Sequence, residues 1–132
     1  MVGFTLALLV SLLAKWVGFD RDRAFYPTLV VVVAQYYVLF AAMSGSGRVV
    51  VVESLLMGGF VLLAGAGFKL NLWLVVIALA GHGVLDLVHG HLVTNPGVPE
   101  WWPAFCLAYD VAAAGFLAWL LARPGLLPAR VR

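Results

Sequence analysis

Long apolar runs in this chain alternate with short stretches that contain proline, glycine, asparagine or charged residues. Five apolar runs can be distinguished, and each is close to the ~20 residues that an α-helix needs to cross a bilayer. They cover approximately residues 2–19, 27–43, 49–68, 72–91 and 103–122. We therefore predict an all-α fold, a compact bundle of five transmembrane helices that forms a single domain over residues 1–132.

The residues between the apolar runs are typical of helix ends and turns. Pro27 and Pro103 are placed for the first turns of the second and fifth helices, where proline is tolerated. Asn71 is a suitable N-cap for the fourth helix. Residues 44–47 (SGSG) predict a tight, flexible turn, and residues 95–99 (NPGVP) predict a rigid loop that cannot be helical.

The composition supports membrane insertion and limits where a function can lie. Charged residues make up 11% of the chain, against about 25% in soluble domains. Nearly every residue is needed to cross the bilayer, so any function must lie within the membrane or in short loops. The formal net charge of +2 is too small to suggest a nucleic-acid partner. The single cysteine, Cys106, excludes an intramolecular disulfide.

Lysine and arginine residues predict the orientation of the bundle. With five crossings, one side carries Arg48 alone. The other side carries Lys15, Arg21, Arg23, Lys69, Arg123, Arg130 and Arg132. Because positively charged loops stay in the cytoplasm, this asymmetry places the N-terminus outside and the C-terminus in the cytoplasm.

The fourth apolar run carries His82, Asp86 and His89, whose spacing places all three on one face of a helix. Ionisable side chains are costly in hydrocarbon and are kept there mostly when they bind, relay or catalyse something. Glu53 in the third run and Asp110 in the fifth lie at a similar depth in the predicted outer half. These five groups can meet if the three helices turn these faces inward.

Three interpretations of this cluster remain open. In the first, His82, Asp86 and His89 provide ligands for zinc, iron or manganese. Glu53 or Asp110 would complete the ligand set or act as a general base on a metal-activated water. In the second, the same groups form a metal-free network for proton transfer or head-group binding. In the third, they are satisfied polar contacts that hold the helices together.

The metal interpretation leads to a functional prediction. On this interpretation, the protein is a metal-dependent membrane enzyme, such as an intramembrane hydrolase, that acts on a lipid or small amphiphile from the outer leaflet. The alternatives are a proton-coupled transport or binding protein that uses the same cluster, or a structural or accessory membrane subunit. Residues 60–68, 72–80 and 111–122 contain no ionisable side chain. This argues against a conducting pathway through a monomer. A pathway formed by a homo-oligomer remains an alternative.

Other polar side chains have simpler interpretations. Cys106 precedes Asp110 by four residues and shares its helix face, so it could be a soft metal ligand, although a buried cysteine is usually a small hydrophobe. Tyrosines in these runs are more often interfacial or packing residues than catalytic ones. The tyrosines concerned are Tyr36, Tyr37 and Tyr109.

The charged segment at residues 18–28 lies on the predicted cytoplasmic surface. Its alternating acidic and basic residues, followed by aromatic ones, favour a charge-balanced interfacial turn with aromatic anchors. A second interpretation is that Arg21 and Arg23 contact lipid phosphate groups.

Three stretches resemble a family of small bacterial multi-spanning membrane proteins of unknown function. They are residues 18–28 (GFDRDRAFYPT), the helix with His82, Asp86 and His89, and residues 95–106 (NPGVPEWWPAFC) followed by Tyr109 and Asp110. The resemblance covers most of the chain and implies a multi-pass protein of the bacterial inner membrane, without implying a chemistry. A looser similarity to intramembrane zinc hydrolases of the alkaline ceramidase type carries over no residues.

Overall fold

The computed structural model describes residues 1–123 and Leu126, and it confirms an all-helical fold. Within this part of the chain there is no β-strand, and the residues form five α-helices. They are α1 (Val2–Val17), α2 (Phe25–Met43), α3 (Gly47–Lys69), α4 (Trp73–Leu92) and α5 (Trp102–Ala122), with a short 3₁₀ turn at Phe19–Arg21. Arg130 and Arg132, which contribute to the predicted charge asymmetry, lie outside the described residues.

Among the helices described, α2, α3, α4 and α5 are long and apolar enough to cross a membrane. This indicates a multi-pass membrane protein. The first helix is shorter than its predicted run to residue 19, because Gly18 adopts a left-handed conformation (φ 93°) that ends it at Val17. Its 16 residues extend about 24 Å, less than the ~30 Å hydrocarbon core.

Helix α1 nevertheless lies alongside α5 and runs in the same direction. Gly3, near the start of α1, packs against the Phe105 carbonyl near the start of α5. At the other end, the Lys15 ammonium group donates a hydrogen bond to the Leu126 carbonyl oxygen, beyond the end of α5 (3.5 Å). Parallel first and fifth helices are the arrangement that the predicted topology requires.

The two ends of the bundle differ, and we name each after one residue. The Asn95 end contains the α2–α3 turn and the α4–α5 loop, where Gly97 packs closely against the Phe40 carbonyl. The Arg23 end contains the 3₁₀ turn and the α3–α4 turn, where the Asn71 side chain accepts a hydrogen bond from the Trp73 amide (3.0 Å). The helix begins one residue later than predicted, so Leu72 and not Asn71 is its N-cap, and Asn71 contacts the first turn from the preceding position.

Apolar and polar groups occupy different halves of the interior. The half nearer the Arg23 end is a hydrophobic core that includes the buried side chains of Val30, Val75, Leu79, Leu117 and Leu120. The half nearer the Asn95 end holds the buried histidines and acidic residues of α3, α4 and α5. The fold therefore concentrates the buried histidines and carboxylates of α3, α4 and α5 in one half of the bundle.

We predict that Gly3→Ala destabilises the protein by about 1–3 kcal/mol, the usual cost of overpacking. A Cβ atom at this position would overlap the Phe105 carbonyl, which belongs to the rigid backbone of α5. Thermal unfolding in detergent measures the effect. The matched control is Gly59→Ala, because a Cβ there meets no atom within 4 Å. Equal unfolding midpoints for the two variants would contradict the packing of α1 on α5.

Candidate metal centre

The five residues predicted to form a site are all buried inside the bundle. Their exposed fractions are 2% for Glu53, 1% for His82, 3% for Asp86, 2% for His89 and 0% for Asp110. Charged side chains are rarely buried to this extent unless they are paired or bind a metal. The condition for these groups to meet, that the three faces turn inward, is therefore met, and the question becomes which groups pair with each other.

His82, Asp86, Cys106 and Asp110 converge in one cluster, which we call the tetrad. His82 Nδ1 lies 2.6 Å from Asp110 Oδ2 and 3.7 Å from Asp86 Oδ2. Cys106 Sγ lies 3.8 Å from Asp110 Oδ2. One potential ligand atom from each residue lies within 4.8 Å of the other three. The tetrad could therefore hold a metal ion.

Helix geometry explains why these four side chains meet. Each helix contributes residues four apart, His82 and Asp86 from α4 and Cys106 and Asp110 from α5, so each pair projects from one face. Gly83 faces α5, and a Cβ atom there would already lie 3.3 Å from Leu107 Cδ1. The missing side chain lets α4 and α5 approach closely enough for their polar groups to bond.

The tetrad contains more acceptor oxygens than donors. Asp86 Oδ1 accepts a 2.6 Å hydrogen bond from the Tyr37 hydroxyl. Asp86 Oδ2 and Asp110 Oδ1 are buried and have no hydrogen-bond partner among the described residues. Burying such oxygens without compensation is costly. Two carboxyl groups beside one imidazole therefore call for a further positive charge, either as protons or as a metal ion.

A second polar group lies nearer the Asn95 end and contains Glu53, His89 and Asn95. His89 Nε2 lies 2.9 Å from Glu53 Oε1, and the Asn95 amide donates to the same oxygen at 2.9 Å. The structure thus places His89 with Glu53, whereas Asp110 joins the tetrad. His82 and His89 are seven positions apart, and this spacing corresponds to about 10 Å along a helix. The two imidazoles therefore belong to different groups.

Tyr37 connects the two groups. Its hydroxyl binds Asp86, its ring stacks on His89 with a centroid distance of 3.9 Å, and its carbonyl accepts a 3.1 Å hydrogen bond from Asn95. Sequence analysis did not assign Tyr37 or Asn95 to the site. No pattern distinguishes Tyr37 from the adjacent Tyr36, and Asn95 reads as an ordinary loop residue. For Cys106, the spacing to Asp110 was the available signal.

An apolar cleft on the bundle surface is lined in part by Cys106, a member of the tetrad. It has a volume of about 280 Å³ and lies between α1, α2 and α5. Its lining residues are Leu6, Leu29, Val32, Val33, Tyr36, Trp102, Phe105, Cys106 and Tyr109. Cys106 belongs to both the cleft and the tetrad, so it marks where the apolar surface meets the polar site.

We predict that Asn95→Ala lowers the free energy of unfolding by about 1–3 kcal/mol, because a buried Glu53 oxygen and the Tyr37 carbonyl each lose a hydrogen bond. Thermal unfolding in detergent measures the loss. Thr94→Ala is the matched control, since the neighbouring Thr94 is exposed. If both variants unfold with the wild-type midpoint, Asn95 does not hold the second group together.

Comparisons with family models, curated proteins and solved structures gave no match for this chain. This result is consistent with the resemblance to an uncharacterised family. The geometry of the buried groups is therefore the basis for inferring a function.

Proposed function

We propose that the tetrad binds a divalent metal ion and that the protein is a metal-dependent membrane enzyme acting on a lipid or small amphiphile. The observation that carries this proposal is the convergence of four ligand atoms within 4.8 Å. Two of these residues, Asp86 and Asp110, each have a buried carboxylate oxygen with no hydrogen-bond partner in the described part of the chain. A cation at this position would neutralise the excess negative charge and satisfy those oxygens.

The donor set favours zinc, with iron or manganese as the other candidates. Zinc accepts imidazole, thiolate and carboxylate ligands together, whereas thiolate is a poor ligand for manganese. His82 and Asp110 share a hydrogen bond at 2.6 Å. Binding a metal would replace that shared proton, because metal ligands must be deprotonated. The second group needs no ion, since one carboxylate there faces one imidazole and one amide.

The cleft beside Cys106 supports an amphiphilic substrate. Its walls are apolar and suit a hydrocarbon chain, whereas the buried end at Cys106 would present the substrate's polar group to the tetrad. A metal ion bound there would supply Lewis-acid chemistry. Of the two predicted catalytic carboxylates, Asp110 lies in the tetrad. Glu53 would act as a positioning residue, because His89 and Tyr37 connect it to Asp86.

The location of the site is also part of the proposal. The lysine and arginine residues at the Arg23 end favour a cytoplasmic position for that end, so the tetrad would lie in the outer half of the bacterial inner membrane. A substrate would then enter from the outer leaflet.

A metal-free, proton-coupled protein is the second candidate. Two His–carboxylate pairs joined by Tyr37 are groups that can exchange protons. However, residues 60–68, 72–80 and 111–122 carry no ionisable side chain toward the Arg23 end. A proton path through one chain would therefore stop near the bilayer centre.

Metal content tests the proposal through the three histidines of α4. We expect near-stoichiometric metal in the wild type and at least a tenfold lower content in His82→Gln, because glutamine keeps the polarity but removes the imidazole ligand. His89→Gln should retain the metal, since His89 binds Glu53. His91→Gln is the matched control at an exposed position. Elemental mass spectrometry on protein purified without chelator gives the values.

Two results would overturn the metal site. One is a wild type that holds no metal after purification and attempted reloading. The other is loss of metal in all three variants, which would show that any change in α4 disturbs binding indirectly. In the metal-free case, proton flux into vesicles containing the wild type would favour the second candidate.

The enzymatic part has a separate test. We expect vesicles that contain metal-loaded wild type to accumulate lipid cleavage products, detected by untargeted mass spectrometry. Vesicles with His82→Gln should lack them, because the ligand is lost. His91→Gln should match the wild type. Identical lipid profiles for wild type and His82→Gln, with metal bound to the wild type, would leave a metal-binding protein without this activity.

A further inference from the structure

A second apolar cleft, unrelated to the tetrad, lies between α2 and α3 near the Arg23 end. Its volume of about 410 Å³ falls within the ~300–1,000 Å³ range of ligand clefts. The residues that line it are Ala24, Pro27, Thr28, Val31, Val61, Ala64, Gly65 and Phe68. None of them belongs to either polar group, so this cleft needs an explanation of its own.

Arg23 adjoins residues that line this cleft, although it does not line the cleft itself. It precedes the lining residue Ala24, and its guanidinium donates a 3.2 Å hydrogen bond to the Gly67 carbonyl, next to the lining residue Phe68. Its Nε atom is buried without a hydrogen-bond partner in the described part of the chain. Because a guanidinium has five N–H donors, Arg23 keeps donors for a ligand.

In the part of the chain that the structure describes, Arg23 forms no ion pair with an acidic side chain. Within the described residues, the Lys15–Asp20 pair (3.9 Å) is the ion pair found at this end. The carboxylate of Asp22 accepts a hydrogen bond from the Ala24 amide (3.4 Å). Lys69 adds a further positive charge at the end of α3. A negatively charged group beside Arg23 would therefore complement the local charge.

We infer that the α2–α3 cleft binds an anionic phospholipid. One acyl chain lies against the apolar walls, and Arg23 binds the phosphate, for which a guanidinium provides parallel hydrogen-bond donors. A charged donor next to an apolar cleft matches the layout of a phospholipid. Anionic lipids attract basic residues at the cytoplasmic membrane surface, where the charge distribution predicts this end to lie.

Two substitutions separate the chain contact from the phosphate contact. Gly65→Leu adds a side chain at a residue that lines the cleft, where a Cβ atom meets no other atom within 4 Å, so the backbone position itself has room for the change. Gly59→Leu is its control, because Gly59 is on the same helix, has equally open surroundings and does not line the cleft. Arg23→Gln removes the charge, and Arg123→Gln removes an equal charge from the end of α5.

Native mass spectrometry of the purified protein, with phosphatidylglycerol and phosphatidylcholine supplied in equal amounts, provides the measurement. We expect the wild type to retain at least tenfold more phosphatidylglycerol than phosphatidylcholine. Arg23→Gln should lower phosphatidylglycerol retention to the phosphatidylcholine level, and Gly65→Leu should lower retention of both lipids. The two control variants should behave like the wild type, and thermal unfolding confirms that each variant is folded.

Three results would overturn the inference. Equal retention of the two lipids by the wild type would show that the negative charge of the head group does not determine binding. Full retention in Gly65→Leu would show that the acyl chain does not occupy this cleft. Equal losses in Arg23→Gln and Arg123→Gln would indicate a general charge effect. The tetrad is not involved, so these outcomes are independent of the proposed enzyme.

Discussion

The cost of burying carboxylates within an apolar bundle is the constraint on which the rest of the structure depends. Glu53, Asp86 and Asp110 lie inside helices that otherwise consist almost entirely of hydrophobic residues. Each needs donors within hydrogen-bond distance, because neither lipid nor the hydrophobic core can supply them. Helices α2, α3, α4 and α5 all bring residues to this half of the interior, and the α4–α5 loop adds Asn95.

Close backbone contacts make these bonds possible. Gly83 allows α4 and α5 to approach until His82 and Asp110 bond directly. At the Asn95 end, Gly97 lies against the Phe40 carbonyl, where no larger residue fits, and this contact holds the loop that carries Asn95. Packing and polar chemistry are therefore coupled, since a small shift of α5 or of the loop would break hydrogen bonds that the buried carboxylates require.

The sequence predicts the helices well because their length and hydrophobicity are local properties. The ends of all five helices fall within two residues of the predicted runs, and α1 ends at Val17 because Gly18 closes it. The inward orientation of Asp86 and Asp110 also follows from the sequence, through the cost of exposing charge to lipid. The hydrogen-bond partners of the buried carboxylates cannot be predicted from the sequence, because the pairing of Glu53 with His89 depends on helix rotation and on a distant loop.

The contrast between the two polar groups gives the argument for where a metal would bind. Around Glu53, one carboxylate meets an imidazole and an amide, so its charge and hydrogen bonds are balanced. In the tetrad, two carboxyl groups share one imidazole and one hydroxyl, and two of their oxygens have no partner among the described residues. Protons alone could neutralise this excess, but they would give Cys106 no particular role, since a thiol is a weak donor. A metal ion uses the sulfur, the imidazole and both carboxylates at once.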